Sequence, residues 1–344
     1  MRWTGIGWAA LVLAWAGSCG GPLRADLPDA GPVHLLVVGP LQGRLEPCGC
    51  TGGMLGGIPR MKTLVDLETT SSTILMDTGD LAGAGGEYGR LKAEFLAFAV
   101  GDRGREAAAR LLVLGEGDAG IPTDLLGPLP GSRDYTLVDA GTGRTVATPE
   151  GVMVRVQAVL PGDPAVEPAL PEALSVLLVH GDRTAAESAL DASPLADLAL
   201  VLHGGEQPDE GVVHHGTAAT FAPGKRGRHL VSMVVSRRAG RTVIDGLRVL
   251  AVDESLPPDP AMEALFLDYR KELVARGILS VGAALEAHPD GAYAGSDACL
   301  DCHAEPYRIW QGSRHGHAMQ ALEEDQAWAD PECVSCHTVG YGFV

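Results

Sequence analysis

Two five-residue stretches, Cys299-Leu-Asp-Cys302-His303 and Cys333-Val-Ser-Cys336-His337, repeat one pattern and constrain this chain more than any other feature. Cysteines three apart present two thiols at the spacing of the two vinyl groups of one haem. The histidine that follows then lies beneath the iron as an axial ligand. The repeat predicts two covalently attached c-type haems, one on Cys299, Cys302 and His303, the other on Cys333, Cys336 and His337. The alternative is a zinc site built from the four cysteines. A zinc ribbon separates its pairs by roughly fifteen to twenty residues and has no use for both trailing histidines, so the wording favours haem.

The rest of the chain is long enough for a sizeable core and more than one domain: 344 residues, 46% hydrophobic and 20% charged. A formal charge of -18 argues against nucleic acid as a partner, because a polyanion would be repelled. It suits solubility and a redox partner protein with a basic face. The first residues, Met1-Arg2-Trp3, an apolar run over 6–15 and Ala16-Gly17-Ser18-Cys19, read as a secretory signal too short to span a bilayer. Export is therefore expected, to the bacterial periplasm or outer surface. Cys19 is a candidate lipidation site that would tether the chain to the membrane; cleavage after Ala16 is the alternative. No later segment offers eighteen consecutive apolar residues. Cys48 and Cys50 are left over. A disulfide across one residue closes a strained, easily reduced ring, and thiolate ligation is the other reading.

Residues 33–39 and 73–77 are short apolar runs that predict buried strands, as do 110–115, 174–180 and 198–203. Helical periodicity occupies 58–67 and 91–100. Polar residues gather where strands end, at Asp77-Thr-Gly-Asp80, Glu116-Gly-Asp118, His180 and His203. Strands alternating with helices, with polar strand ends, predict an α/β fold whose site lies along one sheet edge. Over 135–160 and 212–252 the runs shorten and become rich in valine and threonine, and 230–249 reads as an antiparallel hairpin. Pro257, Pro258 and Pro260 interrupt the chain before an amphipathic helix over 261–276.

The order of these strand-end residues resembles the metallophosphoesterases of the 5'-nucleotidase type over residues 33–255. That family carries Asn-Asp-x-His-Gly after its first strand, Gly-Asp after the second, Gly-Asn-His-Glu after the third, and single histidines on two later strands. Here Leu45-Glu46-Pro47, Gly79-Asp80, His180 and His203 match. Gly39-Pro40-Leu41-Gln42-Gly43 stands in the first motif, so proline and glutamine replace two ligands. Gly205 stands where another ligand is usual, and Gly117 where the catalytic histidine should be. The resemblance implies a layered sheet domain with a site for one divalent metal ion on Asp80, Glu116, His180 and His203. It also implies that two-metal hydrolysis, which needs both ions, is lost. The wording Glu46-Pro47-Cys48-Gly49-Cys50 is similar to a branch of the superfamily whose domains occur beside multihaem segments.

Residues 296–344 resemble multihaem c cytochromes related to hydroxylamine oxidoreductase. The match lies in Trp310-Gln-Gly-Ser313-Arg-His315-Gly-His317-Ala318 and in Asp330-Pro-Glu-Cys333-Val-Ser-Cys336-His337. The resemblance implies that His315 is a distal axial ligand, with His317, His288 and His34 as substitutes. Trp310 and Tyr307 are expected to pack on a porphyrin edge. Relatives continue with further motifs, so a longer parent chain, or a partner cytochrome carrying the next haem, is expected.

The expected organisation is a signal segment over 1–19, a metallophosphoesterase-like domain over 33–255, a helical linker over 256–290 and a small, mostly helical dihaem segment over 291–344. The expected function is electron transfer by an exported c-type cytochrome beside an inactive phosphoesterase-like domain. A metal-dependent phosphohydrolase with a haem appendage is the alternative.

Overall fold

The computed structural model describes residues 24–48, 53–83, 85–118, 121, 135–138, 141–161, 170–279, 293–339 and 341. Cys19, Cys50 and His288, singled out above, lie outside the described residues, as do the side chains of Cys48 and Glu116.

Two six-stranded sheets pack face to face. The strands are β1 (Ala30–Val38), β2 (Pro47–Cys48), β3 (Leu55–Gly56), β4 (Thr73–Asp77), β5 (Ala109–Val113), β6 (Tyr135–Val138), β7 (Arg144–Ala147), β8 (Met153–Val159), β9 (Leu174–Val179), β10 (Leu198–Val201), β11 (Val213–His215), β12 (Ala218–Phe221), β13 (His229–Arg238) and β14 (Arg241–Ala251). The first sheet runs β14-β13-β1-β4-β5-β6 and the second β11-β12-β10-β9-β8-β7, with β2 and β3 paired separately. The middle of each sheet is parallel: β1, β4, β5 and β6 in the first, β8, β9, β10 and β12 in the second. Antiparallel pairs form three of the four sheet edges, including the expected β13–β14 pair, and β6 ends the first sheet as a parallel strand.

Alternation along β1 shows how the layers form. Val33, Leu35 and Val37 face the second sheet, meeting Val156, Val176, Leu178, Leu200 and Phe221 in a dry interface. Leu36 and Val38 face outward onto helices α1 (Ile58–Glu68) and α2 (Gly86–Asp102). The second sheet turns Leu177, Val179, Ala199 and Val201 onto α3 (Arg183–Ala192). Being covered on both faces, β4, β9 and β10 are buried at every residue and so read as unbroken apolar runs. The sequence pattern located these strands but did not assign them to two sheets, because a run buried on both sides carries no face information.

Helix α4 (Pro260–Ala275) starts at an Asp259 cap and buries Met262, Tyr269 and Leu273 in the helical layer of the first sheet. The C-terminal segment adds α5 (Ala304–Gln311), α6 (Ala318–Glu324) and α7 (Pro331–His337). Its own core is small, built on Leu322, Ala327 and Val334. It is held to the α/β part mainly by carboxylates at the start of α7. Asp330 caps the helix through the Glu332 amide, and accepts hydrogen bonds from Tyr88 (2.6 Å) and Tyr269 (2.9 Å). Burial, reinforced by the Asp330 charge, pushes both phenols above their ordinary value. Glu332 pairs with Lys92 at 2.6 Å and Arg44 at 3.1 Å, and Arg270 joins Glu46 to the Asp325 carbonyl.

An Asp330→Ala variant would strand two largely buried hydroxyl donors and uncap α7. Each stranded donor costs about 1–3 kcal/mol. The expected result is a loss of about 3 kcal/mol in a thermal melt, with faster proteolytic release of the C-terminal segment. Asp330→Asn should lose markedly less.

Candidate functional site

The parallel strands of both sheets end on one edge, and the strand-end residues meet there. Asp80 follows β4 in the first sheet; His180 and His203 follow β9 and β10 in the second. Their ligating atoms all lie within 4.8 Å of one another. His203 Nε2 is 3.6 Å from Asp80 Oδ2, and the two imidazoles meet edge to face with centroids 5.7 Å apart.

Backbone geometry puts the carboxylate there. Asp80 has φ +54°, a left-handed conformation unfavourable for a side-chain-bearing residue. Asp118 holds it: its carboxylate accepts hydrogen bonds from the amides of Asp80 (2.8 Å), Leu81 (2.6 Å), Ala82 (3.2 Å) and Gly115 (3.0 Å). Burial pushes the Asp118 carboxyl up while these donors pull it back. Gly115 is required sterically, since a Cβ there would lie 2.0 Å from Asp80 Oδ1. Asp118 thus stabilises the turn and leaves the Asp80 carboxylate free for the cluster. Asp77 is taken up by the buried Arg103 guanidinium, which burial pulls down to about 9.

His180 is fully buried and neither ring nitrogen has a hydrogen-bond partner. Burial, opposed by Asp80, lowers its pKa to about 4, so the ring is neutral at ordinary pH. A buried, neutral imidazole with unpaired nitrogens beside a carboxylate and a second imidazole has the donor set of a divalent metal site. Glu116 begins the 3-10 turn Glu116–Asp118 at the same edge. Among the described residues this is the one cluster of its kind. The four motif cysteines do not converge as a zinc ribbon requires.

A cavity of about 420 Å³ opens beside Asp80 and His203, lined also by Gln42, Arg44, Gly117, Arg226 and Glu332. Gln42 and Gly117, the positions where the family resemblance calls for a histidine, face this space, and Gln42 Oε1 accepts from Arg226 Nε at 3.4 Å. Arg44, Arg226, Glu332 and Asp118 were missed as site residues. Their roles depend on contacts between distant segments, and only the Glu116-Gly-Asp118 strand end offered a local signal.

In the C-terminal segment the four motif cysteines are free thiols. Cys299, Cys302 and His303 are exposed on the turn leading into α5. Cys333, Cys336 and His337 lie on α7, and burial pushes the Cys333 thiol up to about 12. His337 Nδ1 donates to the Ala318 carbonyl at 2.7 Å, leaving Nε2 as the ligating nitrogen. His315 shares a cavity of about 800 Å³ with Trp310, Cys336 and His337. His317 Nδ1 lies 2.9 Å from the Ser313 carbonyl oxygen. His34 is committed inside the first sheet, with Thr73 and Ser232 each 3.0 Å from a ring nitrogen, so it is no axial ligand. Leu300, Ile309, Trp310 and Val339 are exposed on this small segment, apolar surface of the kind a porphyrin covers. The residues fit haem c.

Comparison with known proteins follows the same division. The α/β part has the metallophosphoesterase fold. The chain is similar to the sulfate thiohydrolase SoxB of Thermus thermophilus, with 16% identity and a TM-score of 0.52, covering 72% of this chain and 62% of that one. It is also similar to a 5'-nucleotidase precursor, likewise from Thermus thermophilus, with 14% identity and a TM-score of 0.51, covering 71% of this chain and 59% of that one. It thus spans less than two thirds of either neighbour. Residues 298–343 match the family Cytochrome c554 and c-prime, which supports a cytochrome c-type segment there. No curated protein matches the chain.

Calorimetric titration of chelator-treated protein with Zn²⁺ or Mn²⁺ should show one site per chain. His180→Ala should abolish it, and Asp118→Ala should weaken it by about 10–100-fold although Asp118 offers no ligand, as loss of a positioning contact does. Unchanged binding in both variants would remove the cluster as a metal site.

Proposed function

We propose that this chain is an exported c-type cytochrome that transfers electrons through two covalently attached haems. Its metallophosphoesterase-fold part keeps one divalent ion and has lost phosphoester hydrolysis. The observation that carries the reading is His337. Its Nδ1 is committed to a backbone carbonyl, and its Nε2 is presented on the same short helix as Cys333 and Cys336. That is how a proximal histidine is oriented and its tautomer set. The family match spanning both motifs supports it.

When bound, haem c supplies a reversible one-electron change at iron. The chain's residues would hold it: Cys299 with Cys302 and Cys333 with Cys336 through thioether bonds, with His303 and His337 as imidazole ligands to iron. His315 would supply a second imidazole to iron, which would favour electron transfer over ligand chemistry. The acidic surface suits a basic partner, another cytochrome. The N-terminal signal would direct export to the periplasm or outer surface, and a lipid on Cys19 would hold the protein at the membrane. Among the described residues no helix is long and apolar enough to cross a membrane.

The donor inventory of the described residues supports loss of hydrolysis. In-line phosphoryl displacement at such a site uses two ions. Asp80, His180 and His203 can hold one, while Gln42 and Gly117 supply no imidazole beside them. The second reading, a phosphohydrolase, draws on the arginine-lined cavity at the cluster. Metal-dependent hydrolysis of a nucleotide or phosphodiester that vanishes in Asp80→Ala would establish it.

The mature protein, purified after export, should weigh two haems more than its polypeptide and any lipid, and stay coloured in denaturing gels. Cys336→Ser should lose one haem. Replacing His315 should let carbon monoxide bind reduced iron. A colourless protein at the bare polypeptide mass would overturn the reading.

A further inference from the structure

The cavity beside the metal cluster and the surroundings of the second haem motif share a wall. Arg44 and Glu332 line the 420 Å³ space that holds Asp80 and His203. They also line a separate cavity of about 440 Å³ bounded by Cys333, Cys336 and His337. These two residues, common to both linings, form an ion pair through a single Arg44 Nη1 to Glu332 Oε2 contact of 3.1 Å. Glu332 directly precedes Cys333, so the haem-attachment helix itself puts a carboxylate at the mouth of the cluster.

We propose that Arg44 anchors a binding site for a tetrahedral oxyanion, a phosphate or sulfate group, and that Glu332 is its built-in competitor, coupling occupancy of the site to the adjacent haem. The proposal rests on the haem reading above. Three observations carry it. Arg44 engages Glu332 through one nitrogen, whereas a guanidinium can grip an oxyanion with two parallel hydrogen bonds. Glu332 has a second cation, Lys92 Nζ at 2.6 Å, so leaving Arg44 would not strand its charge. Arg226 faces the same cavity, where Gln42 is its neighbour and Glu206 a 3.4 Å ion-pair partner that Arg228 shares. An anion held here lies one side-chain pair from the haem-attachment helix. Negative charge so placed stabilises ferric iron, so oxyanion binding lowers the potential of that haem. By linkage the oxidised protein binds the anion more tightly.

The test uses the full, exported, haem-loaded protein, treated with chelator so that no metal contributes, at constant ionic strength with chloride as the control salt. Binding of inorganic phosphate, inorganic sulfate and phenyl phosphate is measured in wild type, Arg44→Gln and Glu332→Gln. Arg44→Gln should weaken phosphate binding at least about tenfold, and Glu332→Gln should tighten it about threefold to tenfold. Phenyl phosphate binding as tightly as phosphate assigns an ester as ligand; much weaker binding assigns the free ion. In wild type, saturating phosphate should lower the potential of one haem by about 30–60 mV, the one-electron equivalent of a threefold to tenfold affinity ratio. The shift should vanish in Arg44→Gln. The proposal fails if phosphate binds only with added metal, if Arg44→Gln binds as wild type does, or if neither haem potential responds. If Glu332→Gln does not fold, Arg44→Gln alone decides, since it leaves the Lys92–Glu332 pair intact. A negative result leaves the haem count untouched, so it is distinct from failure of the cytochrome reading.

Discussion

The dry interface between the two sheets is the constraint on which the α/β part depends. Leu35 and Val37 in one sheet and Val176, Leu178 and Leu200 in the other exclude water from it. Because both layers run parallel strands to the same edge, this packing delivers Asp80 from one sheet and His180 and His203 from the other to a common point. Apolar burial is non-directional. The position of the site comes from strand register and from the Asp118 carboxylate, which holds four loop amides and sets the left-handed Asp80 in place.

A different kind of interaction joins the C-terminal segment to this framework. Apolar contact is slight, Ala329 on the main core and Leu279 on the segment's own, and the join is largely polar: Asp330 on two tyrosines, Glu332 on Lys92 and Arg44, Arg270 on Glu46. Such contacts have strict geometry and are costly to break on one side. They therefore fix the orientation of α7, and with it Cys333, Cys336 and His337, against the edge where the metal cluster lies. The arrangement sets the second cysteine-histidine motif and the Asp80–His180–His203 cluster near one another, with the Arg44–Glu332 ion pair between them.

Local chemistry was legible in the sequence wherever it is written in consecutive residues. The Cys-x-x-Cys-His spacing, the apolar runs of β1, β4, β9 and β10, the β13–β14 hairpin, and α1 and α4 were all readable, because periodicity and spacing are properties of a segment. Asp80, His180 and His203 could be named because each ends such a run. The two-sheet division, the exclusion of Asp77 by Arg103 and the commitment of His34 to Thr73 and Ser232 could not. The side-chain pairings among these join residues 26 to 198 positions apart.

By itself, then, the amino-acid order determined which residues have the chemistry of haem or metal ligands and which segments form strands, since those depend on residue chemistry and neighbour spacing. Tertiary structure alone decided that Asp118 supports rather than ligates, that His180 is a neutral ring without hydrogen-bond partners, and that Arg44 and Glu332 meet across 288 residues of chain. Those outcomes depend on burial and on charges brought together by packing, and neither exists until the chain has folded.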